Sequence, residues 1–200
     1  CYRPRLSNTL LEEFGGFSPI FEMSHQDLVK RFGKNYDFLE RICDSKTLKE
    51  AENEIGMAIS EGVRIIPISS GEYPAGLKSS SDPPVLIYVK GNAVFDNKRI
   101  ISVVGTRMPT KYGVECCRMI IGSLAESGFC PIISSGLAYG IDVAAHMAAL
   151  DAGLDTIAVL PCNVERVYPA AHMNIARKIT EQGALISEFP RGTECLKVNF

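Results

Sequence analysis

The run IISVVGTRMPTKYG at residues 100–113 and the run PIISSGLAYGIDVAAH at residues 131–146 decide how this chain folds. Each starts as a short apolar strand, breaks at a glycine turn and resumes as a helix. The beat recurs, with further strands at Thr156 to Leu160 and Ala184 to Ser187, and helices from about Gly113 to Ser127, Ile141 to Asp151 and Ala170 to Gln182. Short, continuous strands rich in Ile, Val and Leu suit a parallel sheet, whose strands are buried on both faces by covering helices. The expected fold class is therefore α/β, a doubly wound and mostly parallel Rossmann-like sheet. Its ligands should sit beyond the carboxyl ends of the strands.

Upstream of this unit, Arg64 to Ile68 and Val85 to Val89 read as strands separated by Ser-, Pro- and Gly-bearing loops. Residues 7–62 instead place apolar side chains three and four apart. Examples are Leu10 with Phe14, Leu28 with Phe32, Leu39 with Ile42, and the set Ala51, Ile55, Ala58 and Ile59, the pattern of a small helical bundle. Ser24 and Asp27 form an S-x-x-D capping box at one helix start. The expected division is a small helical domain at 1–63 and a Rossmann-like domain at 64–200. Because residue 1 is Cys rather than Met, the natural start is expected upstream. The sheet is likewise expected to be incomplete at its C-terminal end.

Bulk charge restrains the choice of function. The chain has 200 residues and a net charge of −2, with 11 basic and 13 acidic residues up to residue 90 and 10 of each afterwards. No whole-protein field draws in a polyanion, so any anion site must be local. No apolar run nears the ~18 residues of a membrane span. The seven cysteines contain no C-x-x-C pair, and Cys116 and Cys117 are adjacent in a helix. This pattern argues against a disulfide framework or zinc site and for a reducing, cytoplasmic setting.

Candidate chemistry gathers at the strand ends. After the first strand, Gly105, Thr106 and Arg107 turn into a helix whose free N–H groups favour an anion, and the Arg107 fork can grip two phosphate oxygens at once. After the second, Ser135, Gly136, Tyr139 and Gly140 form a neighbouring loop, with the two glycines allowing close backbone approach and Asp142 bracing the helix start. The loops after the third and fourth strands carry Tyr168, Pro169, Glu188, Pro190 and Gly192 on the same edge. Lys197 and Phe200 pair a cation with an aromatic ring three residues apart, a combination able to hold a phosphate and stack a base. Asp142 and His146, four apart near Ser134 and Ser135, lack the G-x-S-x-G elbow of a hydrolase. His146 among alanines reads as a buried residue making a local hydrogen bond, and neither His146 nor His172 has the spaced partners of a metal site. Neither loop is G-x-G-x-x-G or G-x-x-x-x-G-K-[ST], so no nucleotide cofactor is expected.

Taken in order, V-V-G-T-R-x-P-T-x-Y-G, S-G-L-A-Y-G-I-D-x-A-A-H-x-A-A-L, T-I-A-V-L, Y-P-A-A-H and L-I-S-E-F-P-x-G resemble the DprA/Smf family. The resemblance spans residues 64 to 200, and the N-terminal helices resemble the family's small helical, SAM- or helix-hairpin-helix-like domain more loosely. It implies a protein that binds and protects single-stranded DNA during natural transformation and helps load the RecA recombinase, without catalysis. Carried over, the family's G-[ST]-R arginine is Arg107, with Gly105 and Thr106 beside it, and its DNA-contacting lysine and stacking aromatic are Lys197 and Phe200. Tyr139 stands where relatives often have a basic residue. The resemblance further implies a homodimer in the full-length protein, with the dimer and RecA faces beyond Phe200. Two other readings stay open: a nucleotide phosphoribohydrolase, whose P-G-G-x-G-T-x-x-E motif is not found here, and a binding module for a small nucleotide or phosphorylated signal.

Overall fold

A computed structural model describes residues 4–33, 38–95, 99–193 and 195. The N-terminal part holds helices α1 (Pro4–Phe14), α2 (Ser18–Glu22), α3 (His25–Phe32), α4 (Phe38–Cys43) and α5 (Ser45–Ser60). Leu10, Ile20 and Leu28 form its buried centre, packed by Phe14, Phe17, Val29 and Phe32. The Ser24 hydroxyl accepts the Asp27 N–H at 3.2 Å and donates to the Asp27 carboxylate at 2.6 Å, the capping box that starts α3. Helix α5 departs from the expected bundle. Only Ala58 of its expected apolar set is buried, while Ile55 and Ile59 remain exposed. The reason is its partner: Ala58 packs with Val63, Tyr88 and Val164 against one edge of a sheet rather than among helices.

That sheet has six strands: β1 (Val63–Pro67), β2 (Leu86–Gly91), β3 (Ile100–Ser102), β4 (Ile132–Ser135), β5 (Thr156–Val159) and β6 (Ala184–Ser187). Between and after them run the short α6 (Ala75–Lys78), α7 (Lys111–Glu126), α8 (Ile141–Asp151), a 3₁₀ turn at Ala170–His172 and α9 (Met173–Gln182). The strand order is β1-β2-β6-β5-β4-β3. Strands β3 to β6 are parallel, whereas β1 and β2 are antiparallel to each other and β2 is antiparallel to β6. The fold is thus a Rossmann-like α/β sheet of mixed direction, preceded by helices.

Each parallel strand steps the same way across the sheet, so right-handed crossovers set α7, α8 and α9 on one face. Alternating residues confirm it. Ile133 packs with Cys117, Ile121 and Ala145 on the helical side. Ile132, Ile157 and Ile186 point to the opposite side, where Tyr73, Leu77 and Phe95 cover them. Toward β3 this second cover runs out, leaving Ile100, Val104 and Val159 exposed.

Candidate functional site

The carboxyl ends of β3, β4, β5 and β6 open onto a groove of about 880 Å³. Gly105, Arg107, Gly136, Asp142, Pro161 and Glu188 are among the residues that line it. Its floor is the second sheet face, with Ile157 and Ile186 beneath a polar rim of Ser134 and Ser187. One wall comes from the segment before β2, fixed by the Tyr73 hydroxyl, which donates to the Pro84 carbonyl at 2.7 Å. Burial, reinforced by the nearby Glu188 carboxylate, pushes that hydroxyl up to about 12, so it keeps its proton and its role as donor.

The two glycine loops interlock. Gly140 has φ +86°, and a Cβ there would lie 2.1 Å from the Thr106 carbonyl oxygen and 2.8 Å from the Arg107 Cα. The Ile141 N–H donates to that same Thr106 carbonyl at 3.1 Å. Gly105 is equally tight, since a Cβ would meet the Ile141 side chain at 2.7 Å. These glycines therefore let loop approach loop. Asp142 braces the second loop, its Oδ2 lying 2.8 Å from where a Gly136 Cβ would be.

This locking decides what each loop can offer an anion. Helix α8 begins at Gly140 with two of its first N–H groups engaged, Ile141 with Thr106 and Val143 with the Ala138 carbonyl. Ser135 is buried, and its hydroxyl donates to the Val103 carbonyl at 2.6 Å, bracing β4 against β3. Helix α7 instead starts beside the exposed Arg107. Its cap is Thr110, whose hydroxyl accepts the Gly113 N–H at 3.1 Å, while Thr106 accepts the Met108 N–H at 3.1 Å and tightens the turn that carries Arg107. The sequence pattern began this helix at Gly113, two residues late, because Thr110 reads equally well as a loop residue.

Tyr139 projects from the second loop with about half of its surface exposed, and its ring meets His172 edge-on at 4.9 Å. The buried His172 also places Nδ1 2.7 Å from the Leu137 carbonyl. Leu137 needs that support, because it is fully buried at φ +57°, a conformation that costs an L side chain ~1 kcal/mol or more. His172 thus holds both the strained backbone and the exposed ring of the loop. Sequence reasoning weighed it only as a metal ligand; its place in Y-P-A-A-H, after the loop of the neighbouring strand, was the available signal. His146 lies beneath the site, fully buried. The Thr156 hydroxyl donates to the Ile133 carbonyl at 2.8 Å, so His146 Nδ1 donates to Thr156 at 2.7 Å. Burial pushes His146 down to about 4 and keeps the ring neutral.

The loop after β6 is anchored by Arg191. Its guanidinium pairs with Glu61 at 2.5 Å and Glu165 at 3.4 Å, and its backbone N–H donates to Glu54 at 2.9 Å. Asn163 adds a bond from its amide to the Thr193 carbonyl at 3.1 Å. One expectation fails here: Cys162 and Cys195 are joined by a disulfide, their Cα atoms 4.9 Å apart. Cysteines 33 residues apart carry no local spacing signal, and only the return of the chain after β6 to the loop after β5 brings them together. Lys197 and Phe200 lie outside the described residues.

Residues 64–200 match the family described as DNA recombination-mediator protein A. The chain belongs to the DNA recombination-mediator protein A family. Among its relatives, the DNA processing protein DprA of Bacillus subtilis is 37% identical over 141 residues, covering 70% of this chain and 47% of that protein. Protein Smf of Borreliella burgdorferi is 31% identical over 167 residues, covering 84% of this chain and 52% of that one. The chain therefore spans about half the length of these DprA and Smf relatives. The X-ray structure of DprA from Streptococcus pneumoniae superposes with a TM-score of 0.63 at 27% identity, over 90% of this chain and 65% of that one. DprA from Helicobacter pylori, whose structure is described in terms of a single-stranded DNA binding mode, superposes with a TM-score of 0.59 at 27% identity, over 69% of this chain and 60% of that one.

Proposed function

We propose that this chain holds single-stranded DNA along the carboxyl edge of its parallel strands, with Arg107 and the start of α7 gripping the phosphate backbone. The observation that carries this reading is the exposed Arg107 on a turn locked from behind by Gly140, at the mouth of a broad groove. A rigid mount matters because a long, flexible side chain loses less freedom when the backbone beneath it is already fixed. Tyr139, half-exposed and oriented by His172, offers a ring on which a base can stack without reading its identity. Lys197 and Phe200 would add a second phosphate contact and a second stacking surface.

Within this reading residues 1–63 form the small helical domain and residues 64–200 the Rossmann-like one. The protein works in the cytoplasm during natural transformation, protects incoming strands and helps load RecA, as a homodimer in its full-length form. No catalytic step is assigned to any residue. The Helicobacter relative, described as binding single-stranded DNA, supports the ligand.

The test is a fluorescence-anisotropy titration of a labelled single-stranded oligonucleotide, with duplex DNA and a mononucleotide as competitors, on the chain and on Arg107→Ala. Preference for the single strand and a loss of at least about tenfold in the variant are expected, the scale of a charge-assisted phosphate contact. Displacement by the mononucleotide at low concentration, or binding indifferent to Arg107, would overturn the reading.

A further inference from the structure

We propose that the outer face of helix α7 is a pairing surface for a second copy of this chain, the two helices meeting antiparallel across a two-fold axis. The contact lies within residues 111–126 and is separate from the dimer face that the family resemblance implies beyond Phe200. It does not depend on the DNA reading.

Helix α7 buries Cys117 and Ile121 against the sheet and packs along α8 on one side. On its other side the sheet ends at β3. At about 3.6 residues per turn, Tyr112, Cys116, Met119 and Ser123 form one outward stripe, with Ile120 beside it. Tyr112 is 78% exposed, Ile120 62% and Met119 54%. A helix face that meets only water normally carries charged and polar side chains instead.

Gly122 is the second observation. It follows Met119 by three residues on the outward side, inside the helix, and nothing lies within 4 Å of the position its Cβ would take. The packing of this chain therefore has no need of glycine there, although glycine weakens a helix relative to alanine. Close approach of a second backbone supplies the need.

Size and charge select the occupant. Turned end for end, the stripe fits itself: Tyr112 meets the partner's Ser123, Cys116 meets the partner's Met119, and Ile120 meets the partner's Gly113. Lys111 and Glu126 are both exposed and stand on one flank of the stripe at opposite ends of the helix. Antiparallel pairing sets each Lys111 beside the partner's Glu126. Parallel pairing would set like charges together and align the two helix dipoles. The contact is isologous, so it closes at two copies rather than growing into a fibre. One pair of helices buries less than the ~1,200 Å² at which stable interfaces begin, so a weak, micromolar association is expected.

The experiment is sedimentation equilibrium of the 200-residue chain from low micromolar to near-millimolar concentration. A reducing buffer excludes disulfides between copies through Cys116 or Cys130. A monomer–dimer equilibrium is expected. Met119→Glu, near the two-fold axis, should weaken it about tenfold or more without changing stability in urea, because Met119 is half-exposed. Gly122→Ala should leave the chain at least as stable and still weaken the dimer, a combination that a local effect on the helix does not produce. Lys111→Glu and Glu126→Lys should each weaken the dimer several-fold, and the double variant should return it to within about two-fold of the wild type. A monomer at every concentration would overturn the proposal and leave this face to another partner. A dimer indifferent to Met119→Glu would overturn it too, placing the contact elsewhere, as on the open sheet face at Ile100, Val104 and Val159. Weakening in both single charge variants without recovery in the double one would overturn the antiparallel pairing.

Discussion

Replacing Gly140 by alanine tests how the two loops are held. The new Cβ would stand 2.1 Å from the Thr106 carbonyl oxygen, against the ~3.3 Å at which carbon and carbonyl oxygen normally meet. The loop carrying Arg107 must then retreat by about 1 Å, because the obstacle is backbone rather than a flexible side chain, and the Ile141 to Thr106 hydrogen bond must lengthen or break. Forced overpacking costs roughly 1–3 kcal/mol. The left-handed backbone at φ +86° adds roughly 1–3 kcal/mol for an L residue. The expected loss of stability is therefore roughly 2–6 kcal/mol in urea unfolding, with weakened DNA binding in the variant under conditions where it stays folded. Gly153→Ala supplies the comparison, since Gly153 also has a positive φ, +71°, but nothing within 4 Å of its Cβ position. It should lose only ~1 kcal/mol and leave DNA binding intact. Equal stability losses in the two variants, with unchanged DNA binding in Gly140→Ala, would refute the interlock.

Stability should also depend on pH through His146. Its ring ionises near 4 when folded and near 6.5 when unfolded, so between these values the unfolded chain takes a proton that the folded chain refuses. The His146 contribution is complete above about pH 6.5 and is lost as pH falls toward 4, to the extent of about 3 kcal/mol. Urea unfolding at pH 7.5 and 4.5 should show the wild type losing about 2–3 kcal/mol more than His146→Gln; identical losses would mean that the imidazole titrates normally. His172→Ala should release Leu137 and Tyr139 together, weakening single-strand binding several-fold while leaving the steep salt dependence set by phosphate contacts. A variant that binds as tightly as the wild type would show that His172 is structural only.

The alternation from β3 to β6 is legible in sequence because buried parallel strands are continuous apolar runs bounded by glycine turns, a signal contained within each local stretch. The capping box at Ser24 and the turn bearing Arg107 are local in the same sense. What escapes sequence reading depends on partners far away along the chain. Strand β2 joins the sheet by pairing antiparallel with β6, and Arg191 finds Glu54 across 137 residues. Ile55 and Ile59 fit a helical stripe, yet α5 rests on a sheet edge through Ala58 and leaves them in solvent. Ser135 lies in the loop that patterning selects, but its hydroxyl is taken by Val103, a cross-strand bond no spacing reveals. The pairing of Cys162 with Cys195 belongs with these, since it exists only after the fold has brought two loops together.

The most direct measurement is photocrosslinking of a single-stranded oligonucleotide carrying photoreactive thymidines, with the attached residues located by mass spectrometry. Adducts concentrated on the turn at 105–110 and on Tyr139 are the expected result, because those positions share the carboxyl edge of the sheet. Adducts concentrated on helices α1 to α4, or scattered without preference, would contradict the placement of DNA at Arg107.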